Sequence, residues 1–563
     1  MNNKIVRRLA TLAVAAGLGL TAPSCNIDRL PEYEATSAQV FVDIANYKPI
    51  LAKLYASLST TGQSLNAPGN TATPDITGID EGFSQYLRAY FTHQELTTDE
   101  AVITWGDQTL QNFHAMTWTS TDVFTRAMYG RIYYQISLCN EFLRQTTDAK
   151  LSSYGISGAN ADEARRYRAE ARFLRALSYW HAIDMFGNVP FVTENDVVEG
   201  NFQPRQAPRA EVFGYIESEL KAIADAGGGL VDARQNEYGR ADKAAAWTLL
   251  AKLYLNAAVY TGQPRYTDCL TYCTKVIGAG YALNGNGGLP TGANNRYRNL
   301  FMADNHTSPE IIFPITFDGV RTTSYGGMTY LVNASVGGSM PKAAFGVPRG
   351  GWGGYRATRA LTDLFPDPAR PDTTQANPDR RFLFHTFRQR RDINTVLNSF
   401  ADGYAYKKYR NVTSNLVMGS DALNGLFPDT DFPMFRLGDV YLMYAEAVVR
   451  GGTGGNSGDA LTYVNNLRVR AYGNTNGNVT LATISQLTNS QPEFLLDERA
   501  RELYGECHRR TDLIRFGRFV ANKNWPWKGD VKTGRDVDAF RVLFPIPSID
   551  LSVNQNLKQN TGY

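Results

Sequence analysis

The sequence predicts a mostly α protein, in which tetratricopeptide-like helix-turn-helix units form a right-handed helical scaffold carrying a loop-rich subdomain. Three observations lead there. Phe124, Met128, Ile132, Ile136 and Cys139 recur at three- and four-residue spacing, one apolar face of a helix. Trp247, Leu250 and Tyr254 have the W-x2-L-x3-Y spacing of a tetratricopeptide first helix, and Leu437, Val440 and Tyr444 take the same three positions later. Between such units lie long stretches rich in Gly, Asn, Thr and Pro, namely Thr60 to Asp80 and Asn284 to Gly354.

In chain order, the first segment reads as a targeting signal. Lys4, Arg7 and Arg8 precede a short apolar run from Leu9 to Leu20, and Ala22, Pro23 and Ser24 lead to Cys25. A cysteine directly after a small residue at the end of such a run is the signature of a bacterial lipoprotein. Residues 1–24 are therefore expected to be a signal peptide, Cys25 the lipidated residue and 25–36 a tether; ordinary secretion with cleavage near Ala22 is the alternative. Several acyl chains on one cysteine, at about 0.8 kcal/mol per buried CH₂, make a lasting anchor. No other apolar stretch reaches the roughly 20 residues that a spanning helix needs.

Residues 37–563 then read as one fold. Glu163 to Phe186 is helical, stopped by Gly187 and Pro190. Arg240 to Ile277 reads as helix, turn, helix, with Gly262 and Pro264 in the turn. The late unit continues through the glycine-rich turn Gly451 to Gly458 into a helix from Asp459 to Arg470. Such helix pairs cannot bury their apolar faces alone and must stack. The repeat units fall within about 120–280 and 435–520, scattered in sequence, and are expected to assemble around the long segments between them. The loop-rich face is expected from about 60–118 and 284–435, with short β-like runs such as Ile311 to Phe317. Loops this long are usually functional or disordered, and the aromatic residues inside these point to function.

Composition excludes several classes. Net charge is +3 from 57 basic and 54 acidic side chains, so no basic field recommends nucleic acid as a partner. The six histidines lie far apart, with no metal-ligand spacing, and neither a G-x-S-x-G elbow nor a P-loop occurs. Asp80-Glu81 and Asp99-Glu100 are adjacent carboxylates of the kind a glycosidase needs, but such pairs arise by chance in a long chain. Cys269 and Cys273 share a helix face without a His or carboxylate at ligand spacing, and read as small packing residues. The 31 Tyr, 28 Phe and 7 Trp beside 50 Gly suit a surface that presents flat rings, although a helical core can also use them as spacers.

Longer motifs carry a resemblance. They include Arg168 to Leu177 (RAEARFLRAL), Phe186 to Pro190 (FGNVP), Gly239 to Ala245 (GRADKAA), Asp497 to Glu502 (DERARE), Asp512 to Gly517 (DLIRFG), Pro545 to Pro547 (PIP) and the ending Asn556 to Tyr563. Over nearly the whole mature chain these resemble the SusD family of starch-utilisation lipoproteins. In its starch-binding relatives an arc of aromatics cups the helical curve of an α-glucan. The resemblance implies that Trp105, Tyr325 and Trp352 form that arc, with Asp80 and Arg88 as polar partners; Gln108 stands where the relative has a shorter amide, which weakens its claim to a hydrogen bond. The stretch between Trp352 and Phe435 departs from the family and is shorter, so no contact is carried over from it. The resemblance also implies cell-surface exposure on a Gram-negative outer membrane, a TonB-dependent outer-membrane transporter as partner, and no catalysis. No cofactor is called for; a structural calcium is compatible with the family, with its ligands left unassigned in this sequence.

Physical chemistry supports the same residues. A pyranose offers an apolar C–H face and a rim of hydroxyls, so it wants an aromatic face with polar groups at its edge. Trp105 beside Asp107 and Gln108, and Trp352 among Gly350, Gly351, Gly353 and Gly354, have that character. The leading expectation is binding of starch or malto-oligosaccharide. The alternatives are another glycan such as an α-1,6-containing glucan or a fructan, a surface glycosidase, or a pure helical scaffold with the three rings buried.

Overall fold

A computed structural model describes residues 37–62, 73–107, 109–285, 296–369, 378–420 and 425–563. Its elements, in chain order, are α1 (Tyr47–Ala56), α2 (Tyr86–Glu95), β1 (Ala101–Ile103), α3 (Val123–Gln145), α4 (Gly158–Phe186), α5 (Arg209–Ala224), α6 (Lys243–Leu255), α7 (Tyr266–Ile277), β2 (Ile311–Ile315), α8 (Gly327–Ser335), β3 (Tyr355–Ala357), β4 (Phe384–His385), β5 (Tyr404–Tyr406), β6 (Phe432–Arg436), α9 (Leu437–Val449), α10 (Ser457–Tyr472) and α11 (Glu493–Leu503), with shorter turns between them.

The helices form where the sequence places them, for local reasons. In α3 the predicted face is buried: Phe124, Met128, Ile132, Ile136 and Cys139 all lie inside. The Asp122 carboxylate caps its start by accepting from the Thr125 N–H at 2.8 Å, one of the four donors a helix leaves unpaired. Helix α4 starts at Gly158, earlier than the expected Glu163, and from Phe173 to Phe186 every residue is buried. It is the central rod of the stack. Asp242 caps α6 through the Ala245 N–H at 3.0 Å, and Asn456 caps α10 through the Asp459 N–H at 2.7 Å. Cys269 and Cys273 are both buried on α7 with sulfurs 3.9 Å apart.

Assembly differs from the expectation in one respect. Neighbouring helices pack in the order α3, α4, α5, α6, α7, α9, α10, so the two repeat units stack directly through α7 and α9. They are tandem in space although scattered in sequence. The segment between them is looped out to one side instead of lying in the middle of the assembly. Helix α7 packs on both α6 and α9, and α9 on both α7 and α10, so each joins its own unit to the other.

The looped-out segment is also more regular than its composition suggested. It contains β2, which pairs antiparallel with β6, and the buried helix α8. A four-stranded sheet in the order β1-β3-β5-β4 closes it against α2, with Ala101 opposite Ala357 and Ile103 opposite Tyr355. That register positions the candidate site.

Candidate ligand-binding cleft

Antiparallel pairing of β1 with β3 puts the residues that leave β1 beside those that enter β3. Thr104 donates its N–H to the Gly354 carbonyl at 3.0 Å, so Trp105 faces the turn that holds Trp352. That turn lies on the C-terminal end of α8. The N–H groups of Trp352, Gly353 and Gly354 donate to the carbonyls of Asn333, Val336 and Ala334 at 2.8, 2.9 and 2.8 Å, satisfying orphan acceptors of the helix. A Cβ at position 354 would lie 2.5 Å from the Trp105 indole, so only glycine lets the ring lie against this backbone. Tyr325 stands at the other end of α8, where its N–H donates to the Glu81 carboxylate at 3.2 Å.

The three rings form a row. Centroids of Trp105 and Trp352 are 6.3 Å apart with planes at 52°, and those of Trp352 and Tyr325 are 6.5 Å apart at 37°. Successive planes tilt, so the row is an arc and not a flat wall. Tyr325 is 42 % exposed while both tryptophans are half-buried, which argues against the scaffold alternative with all three rings inside. They line an open cleft of about 690 Å³, shared with Phe83, Arg88, Thr104, Gly106, Asp107, Gly353, Asn398 and Phe400.

Arg88, in the first turn of α2, has its guanidinium between two rings, 4.6 Å from the Phe83 centroid and 4.5 Å from that of Tyr330. Burial pushes its pKa below the usual guanidinium value, opposed by the charges of Tyr330, Asp80, Asp107 and Glu81. It makes no ion pair among the described residues, so its donors remain available on the cleft side. Asp80 is exposed and not a lining residue; its Oδ1 accepts from the Phe83 N–H at 3.2 Å, and it acts on Arg88 through its charge. Gln108 and Cys25 lie outside the described residues. Thus Trp105, Tyr325, Trp352 and Arg88 converge, and Asp80 stands behind them.

Sequence reasoning missed Phe83, Tyr330, Asn398 and Phe400. Phe83 lies between Asp80 and Arg88 in the sequence, where the question of what covers a lone arginine beside an arc leads to it. Asn398 and Phe400 come from the stretch that departs from the family, where no spacing marks them. Neither Asp80-Glu81 nor Asp99-Glu100 lines this cleft. Asp99 is buried and gripped by both Nε and Nη2 of Arg509 at 2.7 Å, and Glu100 faces Glu95 in the interior, where burial raises the pKa of both. Among the described residues no group of three or more His, Cys, Asp or Glu side chains is arranged to hold a metal ion.

Comparison with known proteins agrees with this architecture. A family model described as "SusD family" matches residues 380–563, and one described as "Starch-binding associating with outer membrane" matches 41–255. The chain is 35% identical to the starch-binding protein SusD of Bacteroides thetaiotaomicron over 100% of both chains. It is 27% identical to SusD-like protein P25 of Formosa agariphila over 70% of this chain and 73% of that one. A SusD superfamily structure from Parabacteroides distasonis superposes with a TM-score of 0.67 at 19% identity, covering 94% of this chain and 100% of that one. Surface glycan-binding protein A of B. thetaiotaomicron, solved with laminarihexaose, gives 0.65 at 18% identity, covering 92% and 99%. With an end-to-end relative at that identity and the same stacked-helix fold, this chain belongs to the SusD family.

Proposed function

We propose that this protein is a non-catalytic glycan binder of the outer-membrane surface, held there by acyl chains on Cys25, that takes starch or malto-oligosaccharide in the Trp105–Trp352–Tyr325 cleft. The observation that carries the reading is the tilt between successive rings, 52° and 37°, on centroids 6.3 and 6.5 Å apart. An α-1,4-glucan curls, so its successive apolar faces turn; a row of coplanar rings would suit a flat chain instead. Arg88, in no ion pair among the described residues, supplies donors to the hydroxyl rim. Asp107 is the one carboxylate among the described lining residues, whereas glycoside hydrolysis uses two, about 5–10 Å apart. The binder needs no cofactor in this reading, and hands its glucan to a TonB-dependent outer-membrane transporter, over which it sits as a lid. That partner rests on family membership.

Each ring contributes about 1–2 kcal/mol by area, and after ordering costs the affinity falls between about 10 μM and 1 mM. Affinity electrophoresis of the mature protein tests the reading, with amylopectin, dextran, inulin and laminarin gels run in parallel. Retardation in amylopectin alone, lost in a Trp105→Ala/Trp352→Ala double variant, is the expected result. Free migration in amylopectin with retardation in another gel overturns the starch assignment and names its replacement.

A further inference from the structure

The cleft continues beyond its tryptophans. Gly337 runs beside Gly353 so closely that a Cβ there would lie 2.6 Å from the Gly353 Cα and 2.9 Å from the ring of Phe400. Phe400 is itself a cleft residue. The next two residues, Gly338 and Ser339, are exposed, so the surface past Phe400 is a floor with no side chain at one position and a hydroxyl at the next. Ser339 Oγ donates to the Phe387 carbonyl at 3.2 Å and lies 3.2 Å from His385 Nε2. The Phe387 ring is 44 % exposed, with the Arg388 guanidinium 5.2 Å from its centroid. Arg388 is exposed and makes no ion pair among the described residues.

A single exposed phenylalanine needs no explanation. Its placement here does call for one. Phe400 packs against Gly337 and Gly338 at one end of a tight turn, closed by the Met340 N–H on the Gly337 carbonyl at 3.0 Å, and Phe387 is tied to Ser339 of the same turn through its own carbonyl. The second ring carries an arginine that makes no ion pair among the described residues. The same pairing of Phe with Arg occurs in the cleft, where Phe83 covers Arg88.

We propose that Phe387, Arg388 and Ser339 form a further subsite, which takes pyranose units of a longer glucan that has already filled the tryptophan arc. Phe387 supplies the stacking face, Arg388 donates to sugar hydroxyls and Ser339 accepts from one. This proposal rests on the reading of the cleft as a glycan site. It makes the protein a chain-length discriminator, favouring oligosaccharides long enough to reach both regions.

Calorimetric titration with maltotriose and maltoheptaose, on the wild type and the Phe387→Ala and Phe387→Trp variants, tests it. The wild type is expected to bind maltoheptaose more tightly than maltotriose. Phe387→Ala should weaken maltoheptaose binding about fivefold and erase most of that gain, while Phe387→Trp keeps it. Equal maltoheptaose affinity in the wild type and Phe387→Ala overturns the subsite, as does a wild type that gains nothing from chain length. A wild type that binds neither oligosaccharide overturns the reading of the cleft itself, and the subsite with it.

Discussion

Two regions of this molecule use arginine in opposite ways. Beneath the loop-rich face, Arg436 is buried against Glu310, Glu502 and Glu506 at 2.9, 2.7 and 2.6 Å, and Arg381 against Asp379, Glu498 and Glu502 at 2.7, 2.8 and 3.2 Å. Arg470 joins the same network through Glu310 and Glu502. Burial would raise the Glu502 pKa, but Arg470, Arg436 and Arg381 hold it at about 2. In the cleft, Arg88 is also buried, yet it lies between Phe83 and Tyr330 with no ion pair among the described residues. The first arrangement pairs each arginine with buried carboxylates and ties β2, β6, α10 and α11 together. The second leaves donors unsatisfied beside aromatic faces, a state worth keeping only if something else meets them. Saturated arginine holds the scaffold, and in the proposed reading Arg88 keeps its donors for a glycan.

The comparison breaks if the two arginines behave alike. Arg436→Ala takes one cation from three buried carboxylates, leaving Glu310 and Glu502 to Arg470 and Glu506 to Lys408, and should cost about 3–5 kcal/mol, read as a loss of folded protein or a large drop in Tm by thermal denaturation. Wild-type stability in that variant would remove the structural half of the contrast. Arg88→Met keeps an aliphatic stem between the two rings but removes the donors. It should weaken glucan binding about tenfold in calorimetry, with Tm unchanged or higher because a buried cation without a carboxylate is gone.

A smaller effect sharpens the contrast through pH. Glu100 lies buried facing Glu95; burial raises its pKa, Arg509 lowers it, and the balance is about 7 against an ordinary 4.5. The folded state then holds a proton that the unfolded chain has released. Its contribution is full below pH 4.5 and lost as pH rises towards 7, the reverse of Glu502, whose contribution is lost as pH falls from 4.5 towards 2. Glu100→Gln should flatten the decline between pH 4.5 and 7, by up to about 1.4 kcal/mol per pH unit, in urea denaturation series. An unchanged slope would mean that the pair is ionised in the fold. The smallest effect is expected at Asp80, which acts on Arg88 only through exposed charge: Asp80→Asn should shift affinity by less than about twofold.

Legibility in the sequence followed the range of the interaction. The α3 face at Phe124, Met128, Ile132 and Ile136 is a local pattern, and it is buried as read. The resemblance carried Trp105, Tyr325, Trp352 and Arg88 to one cleft. Asp80 was read as a direct partner but stands outside the lining, because its loop turns its carboxylate back onto the Phe83 N–H. Phe400 and Asn398 were invisible: nothing in their own neighbourhood distinguishes them from other loop residues, and their role comes from the fold-back of the segment beside Gly337 and Thr104.

By itself the sequence determined helices α3, α4, α6, α7, α9 and α10, the two repeat units and the family to which the chain belongs. These depend on residue spacing along a few turns of chain, where side-chain period and cap chemistry act locally. Only the tertiary structure decided that α7 stacks on α9, that β1 pairs with β3, and hence that Trp105 faces Trp352 across a glycine with no room for a side chain. Those outcomes depend on surfaces that meet after long stretches of chain have closed, and no short-range pattern encodes which of several apolar stripes or strand edges will find each other.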